Sequence, residues 1–268
     1  MKGRAFFPES SLRERIKLAY NWIPENCTAL LDGGCAYGSG TRQFRAKVPA
    51  VWGIDPNPDL LAVARSRSDN ITFLECGLER TPFAAEFFDA IILNDVLEHV
   101  GDETLALNEM HRILKPGGAL IITTPHKGIF SFLDPDNYAY HLRTKAPGVF
   151  GWIIRRKYGS ALPDQVRAGY EGRHRHYNVR DFTRMLDNSL FGKKYCIERV
   201  FRGGLFAGAL ASNLHEVMSL ALTVENAWKL LAPVRWIADW DYFIPYGILS
   251  YNIGVKVIKT SAVALSRP

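Results

Sequence analysis

The residues best suited to chemistry begin with Asp32, which stands at the end of an apolar run and is followed by Gly33-Gly34-Cys35-Ala36-Tyr37-Gly38-Ser39-Gly40. Glycine lets the main chain take φ > 0 and lets a ligand come close to the backbone, so this is the profile of a binding turn between a buried strand and a helix. A second carboxylate, Asp55, follows 23 residues later at the end of Val51-Trp52-Gly53-Ile54. That distance suits a βαβ unit whose second strand delivers an acid to a ribose, where it accepts two hydroxyl hydrogen bonds. Three histidines could move a proton near neutral pH: His126, past an apolar strand, and His174 and His176 in Gly172-Arg173-His174-Arg175-His176-Tyr177. For the latter two an anion-binding role beside Arg173 and Arg175 competes. Asp95, Glu98 and His99 are spaced i, i+3 and i+4, which on a helix start would place them on one face able to hold a divalent cation. Helix packing and hydrogen bonding are the competing roles, and no metal is assigned.

The elements that must position these residues alternate. Ser11-Leu12-Arg13-Glu14 has capping-box spacing ahead of a helix with Leu12, Ile16, Ala19 and Ile23 on one stripe, closed by Pro24. Strands are expected at 29–31, 51–55, 71–74, 88–93 and 119–124, with helices between them and one long helix from Val96 to Leu114 closed by Lys115-Pro116-Gly117-Gly118. Five β/α alternations in about 100 residues imply a doubly wound α/β sheet. Residues 127–176 read as an irregular, aromatic and basic stretch broken by Pro135, Pro147 and Pro163. A helix at 179–190 and a strand at 194–201 follow. In the next segment Leu210, Leu214, Val217, Ala221 and Val224 step by four and three residues, as one helical face does. A final strand is expected at 251–258.

Composition narrows the class. The 268 residues are 47% hydrophobic and 22% charged, as in an ordinary globular protein. The first eight residues carry charge but no apolar run of signal-peptide length, so export is not expected. No eighteen uncharged apolar residues run together, so no transmembrane helix is expected. The four cysteines form no CxxC pair and no zinc-finger spacing, which fits a reduced, cytoplasmic chain without structural zinc. Between Lys127 and Arg184 eleven Lys/Arg face five Asp/Glu, so that segment holds as much excess positive charge as the whole chain, +6. It is either a solvated face or a rim that attracts a phosphate, a carboxylate or a membrane surface. No nucleic-acid motif accompanies it, and a nucleic-acid partner is not expected.

In this order, Leu30-Leu31-Asp32-Gly33-Gly34-Cys35-Ala36-Tyr37-Gly38, Gly53-Ile54-Asp55, Phe88-Asp89-Ala90-Ile91, Leu97-Glu98-His99-Val100 and Arg112-Ile113-Leu114-Lys115-Pro116-Gly117-Gly118 resemble the class I S-adenosylmethionine-dependent methyltransferases, nearest to the small-molecule branch that includes quinone-pathway enzymes. The resemblance covers roughly residues 25–126. It implies a Rossmann-like seven-stranded sheet with an antiparallel last strand. It also implies S-adenosylmethionine as cofactor, leaving S-adenosylhomocysteine as product. Asp32, Gly34 and Gly38 would line the methionine part, Asp55 would hold the ribose hydroxyls and Asn94 would face the sulfonium, with Ala36 and Asn57 also among the cofactor-binding positions. Ala36 stands where the family pattern has its central glycine. Gly77 stands where the pattern often has an acid for the adenine amino group, so adenine recognition is expected from main-chain groups around Gly77 and Leu78.

The expectation is therefore one methyltransferase domain over 1–268. Its core would be about 25–126, 177–202 and 247–260, with a basic lid insertion at 127–176 and an apolar helical insertion at 203–245. His126, His176 and His99 are the candidate catalytic bases, for O-methylation of a small or lipid-like, anionic acceptor. Similar acid–acid–histidine triplets bind metal in some quinone O-methyltransferases and in RNA-end 2′-O-methyltransferases, so a metal-assisted RNA-end enzyme is one alternative. A non-catalytic cofactor-binding scaffold is another. Trp228, Trp236, Trp240, Tyr242, Phe243 and Tyr246 suit a helical cap, an oligomer surface or an interfacial membrane contact.

Overall fold

The computed structural model describes residues 14–68, 70–158, 174–205, 207–222 and 224–260. The described residues fall into two compact units, one drawn from Leu12–Thr124, Tyr177–Phe201 and Ile253–Pro268, the other from Pro125–His176 and Arg202–Asn252.

The first is a sheet unit. Strands β1 (Ala29–Gly33), β2 (Ala50–Asp55), β3 (Thr72–Glu75), β4 (Phe88–Asn94), β5 (Leu114–Pro125), β6 (Tyr195–Gly203) and β7 (Asn252–Lys259) form a seven-stranded sheet in the order β3-β2-β1-β4-β5-β7-β6. The first five pair in parallel, and the last strands are antiparallel. β1, β4 and β5 are near-continuous apolar runs because both faces of a parallel sheet are covered. Ile91, Leu93, Leu120 and Ile122 share one core with Leu107, Met110 and Ile113 of helix α4 (Glu103–Ile113) and with Phe182 and Leu186 of helix α7 (Val179–Asp187). Helix α3 (Pro58–Arg65) sets Leu61 and Ala64 against Phe73 and Cys35.

Polar side chains staple the strand ends. Asp89 Oδ2 accepts from Thr28 N, Thr28 Oγ1 and Ala29 N at 2.9, 2.7 and 2.9 Å, while Lys115 Nζ donates to Oδ1 at 2.6 Å. Burial pushes this carboxyl up, but those donors outweigh it and hold it at about 2. Glu109 is tied in the same way by Thr81 and by a two-pronged contact from Arg112, whose Nη2 also reaches Phe83 O. Two of the motifs that carry the resemblance thus work here as joints between β1, β4, β5 and α4.

Several expectations change. The helix expected from Val96 to Leu114 is divided: Leu97–His99 is one 3-10 turn, Val100 is extended, and Asp102 then caps α4 through Thr104 N and Leu105 N at 2.8 and 3.0 Å. A good N-cap starts a new helix more favourably than the extended Val100–Asp102 stretch can continue an old one. The opening helix, α1, is described from Glu14 to Trp22, so its capping box at Ser11 lies outside the described residues. So do Pro163, Gly172 and Arg173.

The second unit is helical. The stretch expected to be irregular contains a 3-10 turn (Ile129–Leu133) and helices α5 (Pro135–Lys145) and α6 (Pro147–Tyr158). Pro135 and Pro147 occupy first helical positions, where a missing N–H costs nothing, so they begin helices instead of breaking them. Helices α8 (Ala207–Met218), α9 (Val224–Leu230) and α10 (Ala232–Asp241) follow. The expected apolar face of 210–224 is not one helix, and its Leu210, Leu214 and Val217 are exposed. Ala211, His215 and Ser219 are buried instead. Small residues permit close helix approach, and α8 packs on α10.

Candidate functional site

The turn after β1 is built as a cradle in which the amides of Gly34, Cys35, Ala36 and Gly38 are already used. Gly34 N and Cys35 N both donate to Ile54 O at 2.8 and 2.9 Å, Ala36 N donates to Asp55 Oδ2 at 3.0 Å, and Gly38 N donates to Cys35 O at 2.8 Å. A phosphate loop needs such N–H groups for its ligand; here they lock the turn onto β2. Gly34 has φ 70° and a Cβ there would collide with Val96, while Gly38 has φ 71°. Ala36 has φ 45°, so an alanine holds a conformation that favours glycine. The cradle therefore offers close backbone approach and carbonyl or carboxylate oxygens, which suits a cationic ligand better than a phosphate.

The two acids supply the charge. Asp32, at the end of β1, is buried and its Oδ2 accepts from Thr41 Oγ1 at 2.6 Å. Burial, with a smaller push from Asp55, raises its carboxyl to about 7 against the Thr41 hydrogen bond. Asp55, at the end of β2, accepts from Ala36 N and, through Oδ1, from Asn57 N at 2.9 Å. Burial raises it too, opposed by those N–H donors. Each carboxylate oxygen has two lone pairs, so these bonds orient Asp55 and leave acceptor capacity for a diol. Buried acids with raised pKa values are stabilised by a cation placed beside them. An ammonium, a sulfonium and ribose hydroxyls meet both demands.

The neighbouring positions are placed as follows. Asn57 Oδ1 accepts from Asp59 N and Leu60 N as the N-cap of α3, so that oxygen serves the helix. Leu78 is in the core, leaving its main chain as the part that can meet a ligand. A Cβ on Gly77 would stand 2.7 Å from Glu79 Oε2. An acid therefore does reach the Gly77 position, from two residues downstream, and the sequence pattern missed it because the spacing differs. Asn94 Oδ1 accepts from Thr123 Oγ1 at 2.9 Å, joining the ends of β4 and β5. Asp95 has φ 51°, donates N–H to Thr123 O at 3.0 Å and forms an ion pair with Arg15. Glu98 is buried and His99 exposed on the 3-10 turn. The shared α-helical face expected of Asp95, Glu98 and His99 is absent, because the chain turns at Asp95 and never forms an α-helix there.

The other candidate bases lie in the helical unit. His126, the residue after β5, is buried; its Nδ1 is 3.0 Å from Ser250 O and its N–H donates to Tyr251 O at 2.7 Å. A carbonyl only accepts, so the proton sits on Nδ1 and Nε2 carries the lone pair. Burial lowers its pKa, Arg202 and His176 lower it further, and the Ser250 contact opposes them. A neutral imidazole with a fixed tautomer is what a proton acceptor requires. His174 and His176 both contact Asp134, a buried acid that sequence spacing does not link to them.

Comparison with known proteins adds identity to this geometry. A family model described as a methyltransferase domain matches residues 31–122. The ubiquinone/menaquinone biosynthesis C-methyltransferase of Pectobacterium carotovorum is 35% identical over 96 residues, 33% of this chain and 38% of that protein. The mitochondrial ubiquinone biosynthesis O-methyltransferase of Rattus norvegicus is 33% identical over 112 residues, 39% of this chain and 32% of that protein. The chain thus spans well under half the length of these curated relatives. Among solved structures, the geranyl diphosphate C-methyltransferase of Streptomyces coelicolor, in complex with Mg2+, geranyl-S-thiolodiphosphate and S-adenosyl-L-homocysteine, matches with a TM-score of 0.53 at 14% identity, covering 91% of this chain and 73% of that one. Residues 31–122 thus match a methyltransferase domain, and the seven-stranded sheet is that of the class I fold.

Proposed function

We propose that this protein is an S-adenosylmethionine-dependent methyltransferase that methylates an oxygen of a small or lipid-like acceptor. The observation that carries the reading is the Asp32–Asp55 pair at the ends of adjacent strands, around a turn whose Gly34, Cys35, Ala36 and Gly38 amides are already occupied. The bound cofactor supplies an electrophilic methyl on a sulfonium and is left as S-adenosylhomocysteine. Asp32 neutralises the ligand's positive charge, Asp55 accepts from the ribose hydroxyls, and Glu79 with the Gly77–Leu78 main chain meets the adenine. Asn94, pinned by Thr123, borders the methyl group. Positioning alone supplies about 7–11 kcal/mol in favourable cases, and the protein's remaining task is the acceptor's proton. A hydroxyl that gains a methyl must lose that proton, and His126, with Nε2 as the free lone pair, is the base proposed for it.

The relatives named for ubiquinone and menaquinone biosynthesis support a quinol- or phenol-like acceptor. No described helix is long and apolar enough to cross a membrane. The exposed apolar residues of the helical unit support a peripheral contact with a lipid surface, or between copies of the chain, through 203–245. A methyl-labelled donor offered with phenolic, catecholic and polyprenylated acceptors tests the proposal. Label in an alkali-stable ether is expected. Label only at carbon would overturn the oxygen assignment, and no label in any acceptor would overturn the acceptor class.

A further inference from the structure

Asp134 lies between the 3-10 turn Ile129–Leu133 and helix α5, and it is 1% exposed. A carboxylate taken that far from water needs donors around it. Its Oδ2 has His174 Nδ1 at 3.0 Å, His176 Nε2 at 2.9 Å and Asn137 Nδ2 at 3.5 Å. Asn137 Nδ2 also donates to His174 O at 3.2 Å, so the same amide holds the chain that carries both rings. His126 belongs to the same unit, close enough for His176 to lower its pKa together with Arg202.

We propose that Asp134 is the positioning residue of an acid–base site, fixing the tautomer and ring orientation of His174. A ring nitrogen hydrogen-bonded to a carboxylate oxygen must carry its proton, since two lone pairs would repel, so His174 is protonated at Nδ1. In its neutral form Nε2 carries the lone pair. His176 Nε2 lies 2.9 Å from the same oxygen without hydrogen-bond alignment, so that contact does not fix its tautomer. The carboxylate also stabilises the His174 ring once it accepts a proton, as a carboxylate beside a catalytic imidazole does. In the methyl transfer proposed above, on which this inference rests for its substrate, the acceptor O–H bond breaks as the O–CH3 bond forms. The proton passes to an imidazole nitrogen and the S–CH3 bonding pair stays with sulfur. Asp134 keeps its charge throughout.

Long-range 1H–15N correlation spectra of the full labelled chain test this without any acceptor. At pH 8 the wild type should show His174 protonated at Nδ1. In Asp134→Ala His174 should lose that preference and populate the Nε2–H tautomer. The methyl-transfer rate should fall with it, while calorimetric affinity for S-adenosylhomocysteine stays within twofold. The Nε2–H tautomer of His174 in the wild type, or an unchanged Nδ1–H tautomer in Asp134→Ala, would overturn the proposal. If Asp134→Ala does not fold, the wild-type tautomer decides alone. Absence of S-adenosylhomocysteine binding by the wild type would instead defeat the methyltransferase reading and leave the tautomer result standing.

Discussion

Ala36 shows how a single residue can depart from a family pattern and still fill its place. With φ 45° it sits in the left-handed region, and its N–H is held by Asp55. An L-residue there costs about 1–2 kcal/mol, partly offset because glycine loses more freedom on folding. Ala36→Gly should therefore stabilise the protein by about 0.5–1 kcal/mol in urea unfolding, with S-adenosylhomocysteine affinity unchanged. Asp32 carries a pH signature. Its folded pKa, about 7, lies above the ordinary 3.8, so folding favours its protonated form. Its contribution to stability is full below about pH 4 and is lost as pH rises through 7. A cationic ligand reverses this preference, so affinity for S-adenosylhomocysteine should rise between pH 6 and 8, and Asp32→Asn should flatten that rise. Asp32 and Asp55 were legible in the sequence because they terminate apolar runs 23 residues apart. Glu79 and Asp134 were not, since one reaches the site from an unexpected spacing and the other meets its histidines only through the fold.

Elements were legible where both faces are buried. β1, β4 and the second half of β5 announce themselves as continuous apolar runs, whereas Lys115–Gly118, which reads as a turn, is the start of β5 directly after α4. The 3-10 break at Leu97–His99 was not, because Val96–Leu114 keeps helical spacing across it and only the Asp102 cap reveals the restart. Proline misled in 127–158, where it reads as a breaker but serves at first helical positions. Asp89 shows a motif residue working for an element. Asp89→Ala would leave Thr28 N, Ala29 N and Lys115 without their acceptor, at a cost of about 2–3 kcal/mol. Because its pKa is depressed to about 2, the wild-type contribution is present above pH 4 and is lost as pH falls toward 2. Unfolding curves at pH 7 and pH 2.5 check both statements, and S-adenosylhomocysteine affinity at pH 7 should not change.

At the scale of the molecule, the exposed large apolar side chains concentrate in the helical unit. Trp152, Trp236 and Trp240 are 56%, 63% and 67% exposed, and Arg155 and Arg156 are exposed on the same helix as Trp152. Exposed aromatic rings with nearby basic charge suit the headgroup region of an anionic bilayer. The protein should sediment with anionic vesicles more than with zwitterionic ones, and Trp236→Ala/Trp240→Ala should weaken both. Recovery in the supernatant with either vesicle would count against a lipid contact and favour contact between copies. The fold class was legible from the order of five motifs, but the acceptor was not, because a fold does not fix its substrate. What the Asp32–Asp55 cradle binds decides the function. Calorimetric titration with S-adenosylhomocysteine, wild type against Asp55→Ala, tests it most directly. Saturable one-to-one binding by the wild type, weakened roughly 10–100-fold by the substitution with the fold intact, is the predicted result. No binding at high micromolar ligand, or equal affinity in the two proteins, would contradict it.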